Sequence, residues 1–186
     1  LPDIEGVDGG TITGISDDGT KLSGIVQNVS SWSPFLPAIW ENGIPSALPV
    51  QENSGFGGRT DNISGDGSVA VGYTDDDNYF WYASIWVNGE LTVLNGEQAY
   101  GVSNNGRYIV GTNGNSYEPG FMFDRETEEM SMINEPGATN SAVLVGAVTN
   151  EGVVYGSQSG MPSSRNAFIW TKDNGAVWFK DYLVKD

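Results

Sequence analysis

A short turn-like motif recurs four times along the chain, and this recurrence limits the fold more than any other feature. Its first copy reads Ile-Ser-Asp-Asp-Gly at residues 15–19. The other copies, each with an apolar residue, a hydroxyl residue, a polar pair and a glycine, lie at 63–67, 102–106 and 148–152. Asp-Gly and Asn-Gly pairs readily adopt the positive φ that a tight two-residue hairpin loop of the primed type needs. We therefore predict that each copy joins two antiparallel strands through such a loop.

A second marker keeps the same uneven spacing. The glycines of the motif, at positions 19, 67, 106 and 152, are separated by 48, 39 and 46 residues. Aromatic residues that each follow Ile or Met are separated by 46, 37 and 47 residues, and these are Trp40, Trp86, Phe123 and Trp170. Further hairpin signals, such as Asn42-Gly43 and Asn88-Gly89, follow the aromatic residues. We predict four repeats of four strands each, over approximately 11–50, 59–95, 98–134 and 141–180.

Repeats of roughly 40 residues with four strands each are typical of β-propeller blades. The sequence therefore predicts an all-β fold, a β-propeller with four four-stranded blades. These blades either close a ring, form a segment of a larger propeller or form an open arc that another chain completes. We treat residues 1–186 as one domain, because a mostly β chain of this length need not divide. The spaced aromatic residues are predicted to pack between blades, and glycines in the second strands, such as Gly24 and Gly72, to mark close packing.

The repeats resemble the extracellular HAF-type repeat family. Its pattern is roughly Gly-Ile-Ser-x-Asp-Gly, a strand with Val and Gly, Ala-Phe-x-Trp and a glycine hairpin, and the closest copies here lie at 14–19 and 167–170. The third repeat departs from the pattern, with Phe123 in place of tryptophan and no glycine in its last hairpin. The resemblance covers nearly the whole chain. It implies a β-propeller-like fold and a secreted or cell-surface bacterial protein, and it brings no catalytic residues.

Charge and composition exclude several classes of partner. Lys and Arg total 8 against 24 Asp and Glu, which gives a formal charge of −16, so neither nucleic acid nor an acidic membrane surface is an expected partner. The chain has no cysteine, so it forms neither disulfides nor thiolate metal sites. The longest apolar run, 142–148, is far shorter than the roughly 20 residues of a membrane-spanning helix, so we expect no direct membrane insertion. The chain starts at Leu1 without a signal-like segment, which we interpret as a sign of a processed or excised product.

The loops between second and third strands are the candidate binding site. In a propeller they lie at the same end as the loops between blades, and here they are rich in aromatic residues, namely Trp32, Phe35, Tyr79, Phe80, Trp81, Tyr82 and Tyr117. Four successive aromatic residues in an extended segment cannot all face inward, because neighbours alternate faces. We predict that at least one is exposed beside carboxylates, where it suits a protein partner or a glycan. The competing interpretation is a local core over the sheet edge.

A metal site and a catalytic site have weaker support in the sequence. Asp75, Asp76 and Asp77 supply the oxygen ligands that Ca²⁺ prefers, although a solvated acidic loop is the plainer interpretation, and we expect no other cofactor. The absence of histidine removes the usual catalytic base of a triad, and we predict no catalytic residues. A carboxylate pair that hydrolyses a glycoside remains an alternative.

The sequence thus favours a non-catalytic extracellular propeller module that binds a protein partner or a glycan through its second-to-third-strand loops. One alternative is a carboxylate-dependent glycan-processing enzyme or its propeller domain. The other is a structural subunit of a surface assembly, whose exposed aromatic residues dock against neighbouring subunits.

Overall fold

A computed structural model describes residues 9–27, 35–114, 118–139, 141–158 and 166–183. Within these ranges the chain forms four antiparallel four-stranded sheets, and in each sheet the strands follow one another in sequence order. The prediction of an all-β fold with four strands in each repeat is confirmed. No helix in these ranges is long and apolar enough to cross a membrane.

Each sheet corresponds to one sequence repeat. The first comprises β1 (Gly9–Ile15), β2 (Lys21–Gln27), β3 (Leu36–Glu41) and β4 (Ile44–Ala47). The second comprises β5 (Gly58–Ile63), β6 (Val69–Asp75), β7 (Trp81–Val87) and β8 (Glu90–Val93). The third comprises β9 (Gln98–Val102), β10 (Tyr108–Thr112), β11 (Gly120–Asp124) and β12 (Glu129–Ile133). The fourth comprises β13 (Val143–Val148), β14 (Val154–Gln158), β15 (Ala167–Thr171) and β16 (Gly175–Trp178), and a short helix, α1 (Phe179–Tyr182), follows it.

The chain folds as two compact units. Unit 1 is Leu1–Ala99 and holds the first two sheets, and unit 2 is Tyr100–Asp186, with the boundary inside β9. That residues 1–186 form a single domain stays a prediction.

The repeated motif joins the first and second strands of every sheet, but the predicted two-residue primed loop is wrong. Each connection has five residues, and within it only the glycine has positive φ, for example +71° at Gly19 and +68° at Gly67. The reason is the hydroxyl residue at the start of the loop. Ser64 Oγ donates to Asp66 Oδ1 at 2.6 Å and accepts from the Val69 N–H at 3.0 Å, which closes the longer loop. The two-residue loop with positive φ at both positions occurs instead at Asn42-Gly43 and Asn88-Gly89.

The spaced tryptophans are buried, and Trp86 and Trp170 pack against residues of the neighbouring repeat, as predicted, whereas Trp40 clusters with residues of its own sheet. Trp86 Nε1 donates to the Pro49 carbonyl at 2.8 Å. In unit 2, Trp170 packs with residues of both sheets, including Met122. The third repeat differs, because its aromatic residue at this position, Phe123, is only half-buried.

The second strands approach the first strands closely at their glycines, also as predicted. A Cβ on Gly72 would lie 2.0 Å from the Arg59 carbonyl oxygen, and one on Gly24 would lie 2.1 Å from that of Thr11. Only glycine fits at such a distance from a neighbouring backbone.

Candidate functional site

Two loops of unit 1 meet at one end of the second sheet. One is the connection from β4 to β5, over 48–57, and the other is the connection from β6 to β7, over 76–80. The Gly55 N–H donates to the Asp76 carbonyl at 3.2 Å, and the Asp75 N–H donates to the Gly57 carbonyl at 3.0 Å. The inter-blade loop and the second-to-third-strand loop therefore lie at the same end, as the propeller topology predicts.

The carboxylate of Asp75 holds these two loops together. Its side chain is buried, with 1% of the residue exposed. The carboxylate accepts hydrogen bonds from the Ser54 hydroxyl, from the Phe56 N–H at 2.7 Å and from the Gly57 N–H at 2.9 Å. Hydrogen bonds to an ionised acceptor are among the strongest in proteins, so this carboxylate fixes the 54–57 segment against the end of β6.

The carboxylate of Asp76 shapes the turn that follows. Its Oδ1 accepts from the N–H groups of Asn78 at 2.8 Å and Phe80 at 3.0 Å, and its Oδ2 accepts from the Tyr82 hydroxyl at 3.3 Å. Desolvation opposes ionisation, but these backbone hydrogen bonds outweigh it and hold the pKa of Asp76 below its usual value. The negative charge of Asp76 in turn raises the pKa of the Tyr82 hydroxyl. Tyr79 has φ of +66°, so the turn directs its side chain out of the strand path.

Five aromatic residues at this end are exposed, and we call them the aromatic surface: Phe35 (39%), Phe56 (50%), Tyr79 (56%), Phe80 (66%) and Trp81 (44%). The rings of Phe56 and Tyr79 lie 4.7 Å apart between centroids. The Phe35 N–H donates to the Phe56 carbonyl at 2.7 Å, which joins the two phenylalanine segments. Of the four successive aromatic residues, Tyr82 alone is half-buried. The prediction that at least one of these four rings is exposed is confirmed.

Trp81 rests on a stack of side chains that crosses three strands. Its ring is stacked on the Tyr73 ring, with centroids 4.4 Å apart and an interplanar angle of 16°. The Arg59 guanidinium lies over the Tyr73 ring, 5.4 Å from its centroid. Because Arg59 and Tyr73 pair directly across β5 and β6, the order Arg59, Tyr73, Trp81 forms a column on one face of the sheet. We call it the stacked column.

A mostly buried carboxyl anchors the inner end of this column. Arg59 Nε lies 2.9 Å from Asp61 Oδ1, and the Asp61 side chain is 12% exposed. Gln98 Nε2 donates to Asp61 Oδ2 at 2.7 Å. Burial raises the pKa of Asp61, against the hydrogen bond from Gln98 and the charge of Arg59, which lower it.

The structure places the predicted site residues in different environments. Phe35, Tyr79, Phe80 and Trp81 are all exposed, and the Tyr82 hydroxyl donates to Asp76. Two others, Trp32 and Tyr117, lie outside the described residues.

Sequence reasoning missed three members of the site. Phe56 stands between glycines in an inter-blade loop, and that isolated aromatic residue was the available signal. Tyr73 and Arg59 had no such signal. Their pairing depends on a register shift between Thr60 and Asn62, which the sequence pattern does not predict.

The structure gives the acidic residues of the 75–77 segment roles within the loop. The carboxylates of Asp75 and Asp76 accept from backbone N–H groups, and Asp77 Oδ1 accepts from the Asn78 side chain at 2.7 Å. Across the described part of the chain, no group of three acidic, histidine or cysteine side chains is arranged to hold a metal ion. Calcium binding by Asp75, Asp76 and Asp77 stays a prediction.

Each unit also has a groove between its two sheets. The groove of unit 1 has a volume of about 350 Å³, and its lining includes Ile39 and Gly67. That of unit 2 has a volume of about 230 Å³, and its lining includes Met122 and Gly152, which occupy the same repeat positions. Since equivalent residues line both grooves, we interpret them as a product of the repeated packing and not as a specialised site.

Comparison with known proteins identifies the fold. No protein-family model matches the chain, and no curated protein does. Among solved structures it is similar to TolB from Acinetobacter baumannii, with a TM-score of 0.61 and 9% identity over 92% of this chain and 43% of that chain. The chain has a β-propeller fold. It is also similar, with a TM-score of 0.46 and 10% identity over 90% of this chain and 43% of that chain, to a structural genomics protein of unknown function from Bacteroides thetaiotaomicron VPI-5482.

The chain spans less than half the length of these two structures. At such low identity the likeness to TolB establishes the propeller fold alone.

Proposed function

We propose that this protein is a non-catalytic propeller module that binds a protein partner through its aromatic surface. The observation that carries this proposal is the set of five exposed aromatic side chains at one end of the second sheet, on two hydrogen-bonded loops and the segments beside them, namely Phe35, Phe56, Tyr79, Phe80 and Trp81. Aromatic residues are enriched in protein interfaces and dominate their binding energy.

The loops that carry these rings are held in place before any partner arrives. Asp75 binds the 54–57 segment, and Asp76 binds the turn that precedes Trp81. A surface that is already ordered loses less conformational entropy on binding, and more of the contact energy then contributes to affinity.

The chemistry around the aromatic surface favours a protein over a glycan. A sugar needs hydrogen-bonding groups beside the ring on which it stacks, but the carboxylates of Asp75 and Asp76 already accept several hydrogen bonds from their own loops. Phe35, Phe56 and Phe80 have no hydrogen-bonding side-chain atoms. Such a surface suits the apolar side chains of a protein partner.

We place the module outside the cell or on its surface, as a member of the HAF-type repeat family. The support for this part is the repeated sequence pattern, together with the five-residue turns that begin with a hydroxyl residue and that recur in all four sheets.

The experiment is selection of a random peptide library displayed on phage against the full chain. We expect selected peptides to bind the wild-type protein and to lose at least about tenfold in affinity for the Phe80→Ala/Trp81→Ala variant, which corresponds to about 1.4 kcal/mol. Tyr182→Ala is the matched control, because Tyr182 is an exposed aromatic residue of α1 outside the aromatic surface. Its affinity for the same peptides should equal that of the wild type.

Two results would contradict the proposal. One is a set of selected peptides that bind wild type and the double variant equally. The other is a glycan array in which neutral glycans bind through Trp81 while no peptide does, which would assign the surface to carbohydrate.

A further inference from the structure

The stacked column has one occupied end and one open end. At the inner end, the Arg59 guanidinium lies over the Tyr73 ring and is paired with Asp61. At the outer end, Trp81 is stacked on Tyr73 and 44% of the residue is exposed, so this end of the column is accessible to a partner. The column is therefore a cation, an aromatic ring and a second aromatic ring, with space for one more layer.

We propose that this layer is an arginine of the partner, stacked on Trp81 at the accessible end of the column. The inference rests on the proposed function, since it names the chemistry of the partner that the aromatic surface binds. The chain itself supplies the precedent, because its own arginine already stacks on the other end of the same column. Tryptophan gives the strongest cation–π attraction of the aromatic residues, and arginine is the cation most often found in such pairs.

The charge around Trp81 favours a cation. The two loops at this end, 48–57 and 76–80, contain Glu52, Asp76 and Asp77 and no lysine or arginine, and Asp75 ends the strand that precedes the second loop. Asp77 is exposed in the turn that leads into β7. The whole chain carries a formal charge of −16, so a basic segment is attracted toward this surface over a longer distance as well.

Arginine fits better than lysine, because the planar guanidinium stacks parallel to the indole, as a further layer of the column requires. Phe56 and Phe80 are exposed at the same end of the sheet and offer apolar contacts to the residues next to that arginine. The partner segment is thus one arginine with apolar neighbours.

The test uses the full chain and three synthetic peptides that differ at one position. They are the acetylated, amidated peptide Phe-Leu-Arg-Leu-Phe and its counterparts with citrulline or lysine in place of arginine. Citrulline keeps the planar shape and loses the charge. Affinities for the wild type and all variants are measured by isothermal titration calorimetry. In the wild type, contact at Trp81 is followed by NMR through its indole N–H, which is assigned by its absence from the spectrum of Trp81→Phe.

We expect the arginine peptide to shift the Trp81 signal and the citrulline peptide to bind about 3- to 30-fold more weakly. Lysine should lie between them. Trp81→Leu, which keeps an apolar side chain, should lose the preference for arginine over citrulline, and Trp81→Phe should keep part of it. The control Tyr182→Ala should behave as the wild type.

Equal affinity for the arginine and citrulline peptides would overturn the arginine assignment. In that case, peptides from the display experiment that still depend on Phe80 and Trp81 leave the proposed function standing. If no selected peptide depends on these two residues, the proposed function itself fails. The comparison of arginine and citrulline peptides thus tests the arginine assignment, and the display experiment tests the proposed function separately.

Discussion

The carboxylate of Asp75 lies at the end of β6, where most acidic residues would face solvent. It is buried instead, and its two oxygens accept from the Ser54 hydroxyl and from two backbone N–H groups of the inter-blade loop. From the sequence alone this residue looks like one more member of an acidic, solvated run. The structure makes it the residue that positions Phe56 against Tyr79.

Replacing Asp75 should destabilise the protein. Asp75→Ala leaves the Ser54, Phe56 and Gly57 donors without their acceptor, and we expect a loss of about 2 to 4 kcal/mol in the free energy of unfolding. Asp77→Ala, which removes an exposed carboxylate two residues later, should cost less than about 0.5 kcal/mol. Urea unfolding of both variants gives the comparison. Similar losses in the two variants would show that Asp75 does not have this anchoring role.

Asp61 should make stability depend on pH in the direction opposite to most acidic residues. Burial raises its pKa, so the folded state binds the proton more tightly than the unfolded state does. The stability it contributes is therefore fully present below the unfolded pKa, about 3.9, and is lost as the pH rises through the folded pKa. Asp61→Asn still accepts a hydrogen bond from Gln98 and does not ionise.

The measurement is urea unfolding of wild type and Asp61→Asn from about pH 3 to about pH 7. We expect the wild type to lose stability relative to the variant as the pH rises. Asp66 serves as a control with the opposite pH dependence. Desolvation opposes its ionisation, but hydrogen bonds from Ser64 and Ser68 outweigh it and lower the pKa of Asp66. The wild type should therefore lose stability relative to Asp66→Asn as the pH falls. A relative stability of Asp61→Asn that does not change over this range would contradict the assignment.

At the scale of the strand, close approach of neighbouring backbones decides where glycine is required. Gly72 lies in β6, where a Cβ would lie 2.0 Å from the Arg59 carbonyl. Gly89 lies in the β7–β8 hairpin with φ of +88°, and a Cβ there would meet no atom within 4 Å. The first glycine is needed for space, and the second only for its backbone conformation.

Alanine at these two positions should separate the two effects. Gly72→Ala must push β5 and β6 apart, and we expect a loss of at least about 3 kcal/mol in the free energy of unfolding. Gly89→Ala carries only the cost of positive φ, about 1 to 2 kcal/mol. Thermal or urea unfolding measures both. A smaller loss at Gly72 than at Gly89 would mean that the sheet yields easily at this point.

At the scale of the whole molecule, the excess of negative charge dominates the electrostatics. There are 24 acidic residues against 8 basic ones. Described ion pairs such as Arg107–Asp124, with Nη2 and Oδ2 2.7 Å apart, offset only part of this charge. Folding brings the remaining carboxylates closer together, and their mutual repulsion opposes the compact state.

Added salt should therefore stabilise the protein. We expect the midpoint of urea unfolding at pH 7 to rise between about 10 mM and about 300 mM NaCl, since the screening length falls over this range. Urea is the suitable denaturant because it is uncharged. A midpoint that falls with salt would mean that ion pairs such as Arg107–Asp124 outweigh the general repulsion.

The sequence by itself determined the repeat, the four-stranded sheets and the burial of the spaced tryptophans. The repeat and the four-stranded sheets depend on contacts within about 40 residues, which glycine turns and apolar alternation specify locally. The tryptophans are apolar residues at a fixed position of each repeat, and their burial follows from that pattern even where they pack against the neighbouring sheet. The sequence also predicted that the loops between second and third strands would expose aromatic rings. It was wrong about the repeated turn, because the hydrogen bonds of Ser64 with Asp66 and with the Val69 N–H close a longer loop than the glycine alone suggests.

Only the tertiary structure decided which side chains make up the site. Asp75 meets Phe56 across 19 residues of chain, and Arg59 reaches Tyr73 only because a register shift in β5 precedes the turn. A one-residue change of register moves a side chain to the other face of a sheet, so such partners follow from the packed strands and not from local pattern. The repeat thus came from the sequence, and the column beneath Trp81 came from the register of three neighbouring strands.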